Sequence, residues 1–344
     1  MVANEYRFGL LLFRRDGTTL GAAAVTPDWG PAVEWTRFCH ARAGEAPFCG
    51  DGTASIQPLW DRSEGEPYIR GFRVVCEGDG SKAAASEFAT AYFSDVAAQA
   101  SSEFVKNGTL NTGDTYLFQA VAYPANGSGA NAGGGLALAV EEQKPDVPLL
   151  DSDLGEFQRR SAVYGIVDAD DMPVFIPQRV LDEAATLTRQ YEGCETGGIL
   201  IGRMRRDPAL PEIFAEISAQ IPVEHAQGSV AKLTFTAETW SAANAAIRLR
   251  GQSEVYLGYW HSHPVREWCK SRACSPERQK TCSLGSNFFS EDDRAVMRAA
   301  FPRAYSIGLV ANDTAFTDLS FSLFGWREGR IHPRGFYLLE DFHA

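Results

Sequence analysis

The sequence has no long hydrophobic run and no dense basic stripe. The longest early apolar run, Phe8 to Phe13, is short and lies between Arg7 and Arg14, so it predicts a strand and not a signal peptide or membrane span. The net charge of −12 disfavours binding to nucleic acid or to an anionic membrane surface. We therefore expect a cytoplasmic protein that has neither nucleic acid nor a membrane as a partner.

Cysteine usage points away from a secreted disulfide scaffold. The chain has seven cysteines, an odd number, and no recognisable export signal. Disulfide frameworks belong to oxidising compartments, so we expect thiols or metal ligands instead.

The length of 344 residues favours two domains, each with its own core. We predict a small α+β domain of unknown role over residues 1–124, a Gly/Asn-rich linker over 125–160 and a second domain over 161–344. The elements predicted in the first domain are a β-hairpin from Tyr6 to Val25, a strand from Tyr68 to Cys76, a helix from about Ala84 to Lys106 and a strand from about Thr115 to Tyr123.

Helices alternate with strands in the second domain, which predicts an α/β fold with a mixed sheet packed by helices. Strict alternation of apolar residues from Ile213 to Ile221, for example, indicates a half-buried strand. The other predicted elements are helices after Pro177 and from Ala237 to Arg250, and strands at Gly198–Gly202, Val255–His261, Tyr305–Ala311 and Leu319–Trp326.

A candidate metal site begins with His261 and His263, which are two residues apart at a predicted strand end and so project to the same side. A catalytic zinc usually takes three protein ligands and leaves one position open. Asp293, in the acidic start of a predicted helix, is the expected third ligand, and Asp292 is the fallback. Glu195 stands before the glycine-containing strand that begins near Gly198.

Together these segments resemble the JAMM (JAB/MPN) zinc metalloproteases, whose pattern is a Glu before a Gly-containing strand, then HxHP, then SxxD. The resemblance covers about residues 170 to 330. It implies a JAB/MPN-like mixed sheet flanked by helices, and a catalytic Zn²⁺ bound by His261, His263 and Asp293. It also implies that Glu195 is the general base and that Ser290 donates to the developing oxyanion. Ser290 followed three residues later by an acid is in addition a helix-capping signature.

The resemblance further implies an isopeptidase or peptidase that cleaves after the C-terminal tail of a ubiquitin-like protein, in deconjugation or precursor processing. A bacterial ubiquitination-like pathway is the expected context, with activating and conjugating enzymes as further partners. Two alternatives stay open. One is a non-catalytic MPN scaffold, although such scaffolds usually lose the ligands kept here. The other is a zinc amidohydrolase that acts on a small-molecule or amino-acid adduct.

The chain departs from the family pattern between His263 and Asp293, where 29 residues intervene, more than is usual. We predict an insertion over 265–289 that loops out beside the metal site. It carries three cysteines, and with a fourth from a neighbouring segment they could hold a second, structural zinc; one disulfide with a spare thiol, or reduced thiols, are the alternatives. The residues concerned are Cys194, Cys269, Cys274 and Cys282.

Overall fold

The structure is a computed structural model, and the chain divides into two compact units, Met1–Asp146 and Val147–Ala344. The described residues are 2–3, 6–45, 53–63, 67–77, 83–125, 147–191, 193–223, 235–275, 277–278, 288–314 and 319–340. Within these ranges no helix is both long and apolar enough to cross a membrane.

The described part of the first unit contains two sheets, one antiparallel and one mixed. Its strands are β1 (Val2–Ala3), β2 (Tyr6–Arg14), β3 (Thr19–Val25), β4 (Ala54–Trp60), β5 (Ile69–Cys76), β6 (Ala84–Ala89) and β7 (Tyr116–Pro124), and its helices are α1 (Gly30–Arg42) and α2 (Ser94–Lys106). The order in one sheet is β3-β2-β7, and in the other β1-β4-β5-β6, with β1 parallel to β4. The predicted hairpin is confirmed, because β2 and β3 pair antiparallel.

The helix predicted from Ala84 is wrong over its first ten residues. The segment Ala84–Ala89 is strand β6, a 3₁₀ turn follows at Thr90–Phe93, and the helix begins at Ser94. Phe88 lies opposite Phe72 on β5, with the two rings stacked and their centroids 5.0 Å apart. A spacing of four residues fits a strand as well as a helix, so the contact with β5 decided between them.

The predicted linker over 125–160 is also wrong from residue 149 onward. Residues 149–151 form β8 (Leu149–Asp151) and 154–159 form α3 (Leu154–Arg159), both in the second unit. The glycine-rich stretch 126–146 lies outside the described residues. β8 runs parallel to residues 204–206 of the strand that spans 197–207. Pairing of that strand with the strand at 255–263 stops at Gly202, so β8 satisfies backbone groups of residues 204–206 that would otherwise be open.

The second unit is a mixed α/β fold. Its helices are α3, α4 (Gln178–Gln190), α5 (Ala237–Arg250), α6 (Val265–Ser271) and α7 (Glu291–Ala300). Its strands after β8 are β9 (Ser161–Tyr164), β10 (Val174–Pro177), β11 (Gly197–Asp207), β12 (Glu212–Pro222), β13 (Val255–His263), β14 (Ile307–Asn312), β15 (Ser320–Arg327), β16 (Arg330–Arg334) and β17 (Phe336–Leu339). The sheet order among the described strands is β16-β15-β14-β13-β11-β12-β10-β17-β9, with β8 on β11.

Strand β13 lies inside this sheet, antiparallel to β11 and parallel to β14. The backbone of β14 comes so close that a Cβ on Gly258 would lie 1.9 Å from the Ile307 carbonyl oxygen, and Gly258 has φ +155°. Only glycine fits there. The tight pairing fixes the end of β13, where the two histidines stand.

Candidate metal centre

The strand end at β13 brings the two predicted histidines together. Side chains two residues apart on a strand share a face, and here the Nε2 atoms of His261 and His263 lie 3.0 Å apart. Both residues are 2 % exposed. The sheet therefore presents two imidazole nitrogens at a single, nearly dry point.

Helix α7 supplies the third group. Ser290 is its N-cap, and the capping box predicted from the sequence is confirmed: the Ser290 Oγ accepts from the Asp293 N–H at 3.1 Å, and the Asp293 Oδ2 accepts from the Ser290 N–H at 2.7 Å. The carboxylate is thereby turned toward the strand. Its oxygens lie 3.1 Å from His261 Nε2 and 3.6 Å from His263 Nε2.

These spacings fit a tetrahedral zinc site. With bonds of about 2.0–2.1 Å, two donors on a tetrahedron lie about 3.3–3.4 Å apart. The two Nε2 atoms are 3.0 Å apart, Asp293 Oδ1 lies 3.1 Å from His261 Nε2, and Asp293 Oδ2 lies 3.6 Å from His263 Nε2. We compared the His, Cys, Asp and Glu side chains of the described residues. His261, His263 and Asp293 are the one group of three or more among them whose donor atoms all lie within 4.8 Å of one another. Asp292 is exposed and does not belong to it.

The charges at the cluster favour ligation. Burial alone would raise the pKa of the Asp293 carboxyl, but the contacts with His261 and His263 and the Ser290 N–H outweigh it and hold the pKa well below its usual range. The pKa of His263 is lowered, because burial and the neighbouring His261 together outweigh Asp293 and Glu195, which raise it. An ionised carboxylate beside a neutral imidazole is the protonation state that a metal requires.

The second ring nitrogen of each histidine, Nδ1, has surroundings that are less typical of a zinc site. The Nδ1 atoms of His261 and His263 are buried, and neither has a hydrogen-bond partner among the described residues. Ligating histidines commonly donate their second N–H to a carbonyl or carboxylate. Ring packing holds these imidazoles instead: His263 stacks on Phe288 with centroids 4.3 Å apart, and Trp268 lies 5.7 Å away.

Glu195 stands beside the cluster and not within it. It directly precedes Thr196, which exchanges two hydrogen bonds with Ser262: the Ser262 N–H donates to the Thr196 carbonyl at 2.8 Å, and the Thr196 N–H donates to the Ser262 Oγ at 3.0 Å. Ser262 is the fully buried residue between the two histidines. The charge of Glu195 acts on the pKa of His263. The role of Glu195 as general base stays a prediction of the sequence motifs.

The cysteines are not assembled into a second metal site by the described residues. None of Cys194, Cys269 and Cys274 is joined in a disulfide, and they do not form a three-member group within 4.8 Å. Cys282 lies outside the described residues, as does most of the second half of the predicted insertion. The first half of the insertion is the short helix α6, which was not predicted. A second zinc stays a prediction.

Sequence reasoning missed two side chains that touch the site residues. Tyr259 packs its ring on His261, with centroids 5.5 Å apart and planes 16° from parallel, and its hydroxyl donates to the Asp293 carbonyl at 3.0 Å. Ser262 ties the Glu195 segment to β13, as above. The signal for Tyr259 was its place two residues before His261, on the same side of the strand. Nothing in the sequence points to Ser262.

Comparison with known proteins adds no function. No family model matches the chain, and no curated protein matches it. Among solved structures the chain is similar to protein DSY2949 from Desulfitobacterium hafniense, determined in solution, with 17 % identity over 49 % of this chain and 95 % of that one. The TM-score is 0.33, too low for the likeness to carry an argument.

Proposed function

We propose that this protein is a zinc-dependent isopeptidase or peptidase of the JAMM type that cleaves after the C-terminal tail of a ubiquitin-like protein. The observation that carries the proposal is the meeting of His261 Nε2, His263 Nε2 and the Asp293 carboxylate, with 3.0 to 3.6 Å between donors. They come from a strand and a helix with 29 intervening residues. The resemblance of the sequence motifs names the same three residues.

The roles proposed for the protein groups are those that the resemblance implies. A zinc ion held by the three donors would supply a Lewis acid that polarises a carbonyl and acidifies water. Glu195 would take the proton of the attacking water on its carboxylate and pass it to the leaving amine. The Ser290 hydroxyl accepts from the Asp293 N–H, so its own proton is the one it would donate to the developing oxyanion.

The substrate assignment depends on the resemblance alone. By that resemblance the partners are a ubiquitin-like protein or its conjugates, and the activating and conjugating enzymes of a bacterial pathway. The same donors and base would also hydrolyse the amide of a small-molecule adduct. The test must therefore offer both kinds of substrate.

The experiment compares wild type, Glu195→Gln and Asp292→Asn on tail-extended ubiquitin-like fusions and on small amides, with products read by mass spectrometry. Asp292→Asn is the matched control, because it removes one negative charge from an exposed position near the site. We expect Glu195→Gln to bind zinc normally and to lose about 10²–10⁴-fold in turnover, while Asp292→Asn keeps it.

Three other outcomes of this experiment would point to a different base or a different function. Full turnover by Glu195→Gln would show that the base is another group. Cleavage of small amides but not of fusions would favour the amidohydrolase. A zinc-loaded wild type that cleaves neither substrate would leave the scaffold as the better explanation.

A further inference from the structure

Tyr259 touches both halves of the metal centre. It is 1 % exposed and lies on β13, its ring stacked on His261 and its hydroxyl bonded to the backbone carbonyl of Asp293. One side chain thus contacts a ligand from the strand and the ligand from the helix.

The hydrogen bond to Asp293 is not needed to satisfy that carbonyl. Asp293 lies in the first turn of α7, so its C=O accepts from the N–H four residues later, that of Met297, as in any α-helix. A carbonyl oxygen has two lone pairs, and the Tyr259 hydroxyl uses the second. The helix would form without it. The bond instead joins α7 to β13.

Apart from the ligand set itself, the other directed bonds that join α7 to the sheet act on residues other than Asp293. Trp326 Nε1 donates to the Phe301 carbonyl at 2.9 Å, and Arg294 donates to the Ile331 carbonyl at 3.3 Å. The helix packs on an apolar cluster that includes Met297, Phe301 and Phe289. Apolar contact is non-directional and tolerates sliding. The ligand set does not, because its donors must stay within a few tenths of an ångström of their spacing. A directed bond to the backbone of the ligand itself supplies that constraint.

We propose that Tyr259 is a positioning residue that holds Asp293 against His261 and His263 and so sets the affinity and geometry of the metal centre. This inference depends on the metal site of the proposed function, but not on its substrate or on peptide cleavage.

The chain offers a matched control in Tyr256, three residues earlier on the same strand. Its hydroxyl oxygen is buried and has no hydrogen-bond partner among the described residues, and its ring packs edge-on against Trp240 with centroids 5.4 Å apart. Tyr256→Phe and Tyr259→Phe each remove one buried hydroxyl from β13. Only the second removes a bond to Asp293.

The experiment measures zinc affinity by competition with a chelator, and the visible absorption spectrum of the Co²⁺-substituted protein, which reports ligand geometry. Urea unfolding of the metal-free forms shows that both variants fold. We expect Tyr259→Phe to weaken zinc binding by about 10-fold, the lower end of the range for bonds made to the ligating group itself, because this bond acts through the backbone of Asp293, and we expect it to shift the Co²⁺ bands. Tyr256→Phe should change neither.

If Tyr259→Phe kept the zinc affinity and the Co²⁺ spectrum of the wild type, the inference would be overturned and the proposed function would stand. A wild type that binds no zinc would overturn both. Weakened binding in Tyr259→Phe in a protein that cleaves no peptide would support the inference and count against the proposed function alone.

Discussion

The assignment of Asp293 as the third ligand predicts opposite behaviour for two adjacent carboxylates. Asp293→Asn and Asp292→Asn each remove one negative charge from the first turn of α7, which costs about 0.3–1 kcal/mol through the helix dipole in either variant. Asp293 alone faces the imidazoles, at 3.1 and 3.6 Å. The variants should therefore differ in metal binding far more than in helix stability.

The difference in zinc affinity between the two variants can be converted into a difference in stability, because zinc that binds only the folded state stabilises it. Outer hydrogen bonds to ligands are worth about 10- to 100-fold in affinity, so loss of the anionic donor itself should exceed about 100-fold. At free zinc 100 times the wild-type Kd, wild type gains about 2.7 kcal/mol of stability, whereas a site weakened 100-fold gains about 0.4 kcal/mol. For a domain of this size each kcal/mol moves the Tm by about 2–4 °C.

Thermal unfolding of each variant in zinc and in a chelator measures this gain as the difference between the two Tm values. We expect a zinc-dependent rise of about 5–10 °C in wild type and Asp292→Asn, and of about 1 °C in Asp293→Asn. Equal rises in wild type and Asp293→Asn, or loss of the rise in Asp292→Asn alone, would refute the ligand assignment.

Three further substitutions test how the site is supported. Ser262→Ala leaves the Thr196 N–H without its acceptor and should cost about 1–3 kcal/mol in urea unfolding and lower turnover more than zinc affinity; unchanged stability would contradict the bond. Gly258→Ala forces a Cβ to 1.9 Å from the Ile307 oxygen and should prevent folding of the second unit, judged by circular dichroism; a folded variant would show that β14 can move. Glu254→Gln removes a buried carboxylate whose pKa is lowered, because hydrogen bonds to its Arg and Ser partners outweigh the opposing effect of burial. Since a lowered folded-state pKa stabilises only above the unfolded value, its cost should be full near pH 7 and shrink as pH falls below about 4, and a cost independent of pH would argue against ionisation.

Local patterns in the sequence predicted much of the second unit. The strand β12, the histidine pair at the end of β13 and the start of α7 at Ser290 are confirmed. The expectation that β12 is half-buried is wrong, because Phe214 and Ser218 on its second face are buried as well. These features depend on neighbours a few residues apart, which is the range over which strand and helix periods act.

The first unit was less predictable for the same reason. Strand β6 was taken for helix because its apolar spacing fits both periods, and pairing with β5 decided the outcome. Strand β4 and helix α1 were not predicted at all, and β8 and α3 were taken for linker. Such segments are stabilised by partners distant in sequence, which single-sequence periodicity does not contain.

By itself the sequence determined which residue types could bind a metal and which local elements carry them. The motif register favoured Asp293 over Asp292 as the third ligand, but only the tertiary structure shows that Asp293 faces His261 and His263 and that Tyr259 bonds to its carbonyl. The physical reason is that these contacts join a strand to a helix across 29 residues. Their geometry is set by the close pairing of β13 with β14 and by the packing of α7, neither of which leaves a periodic trace in the chain.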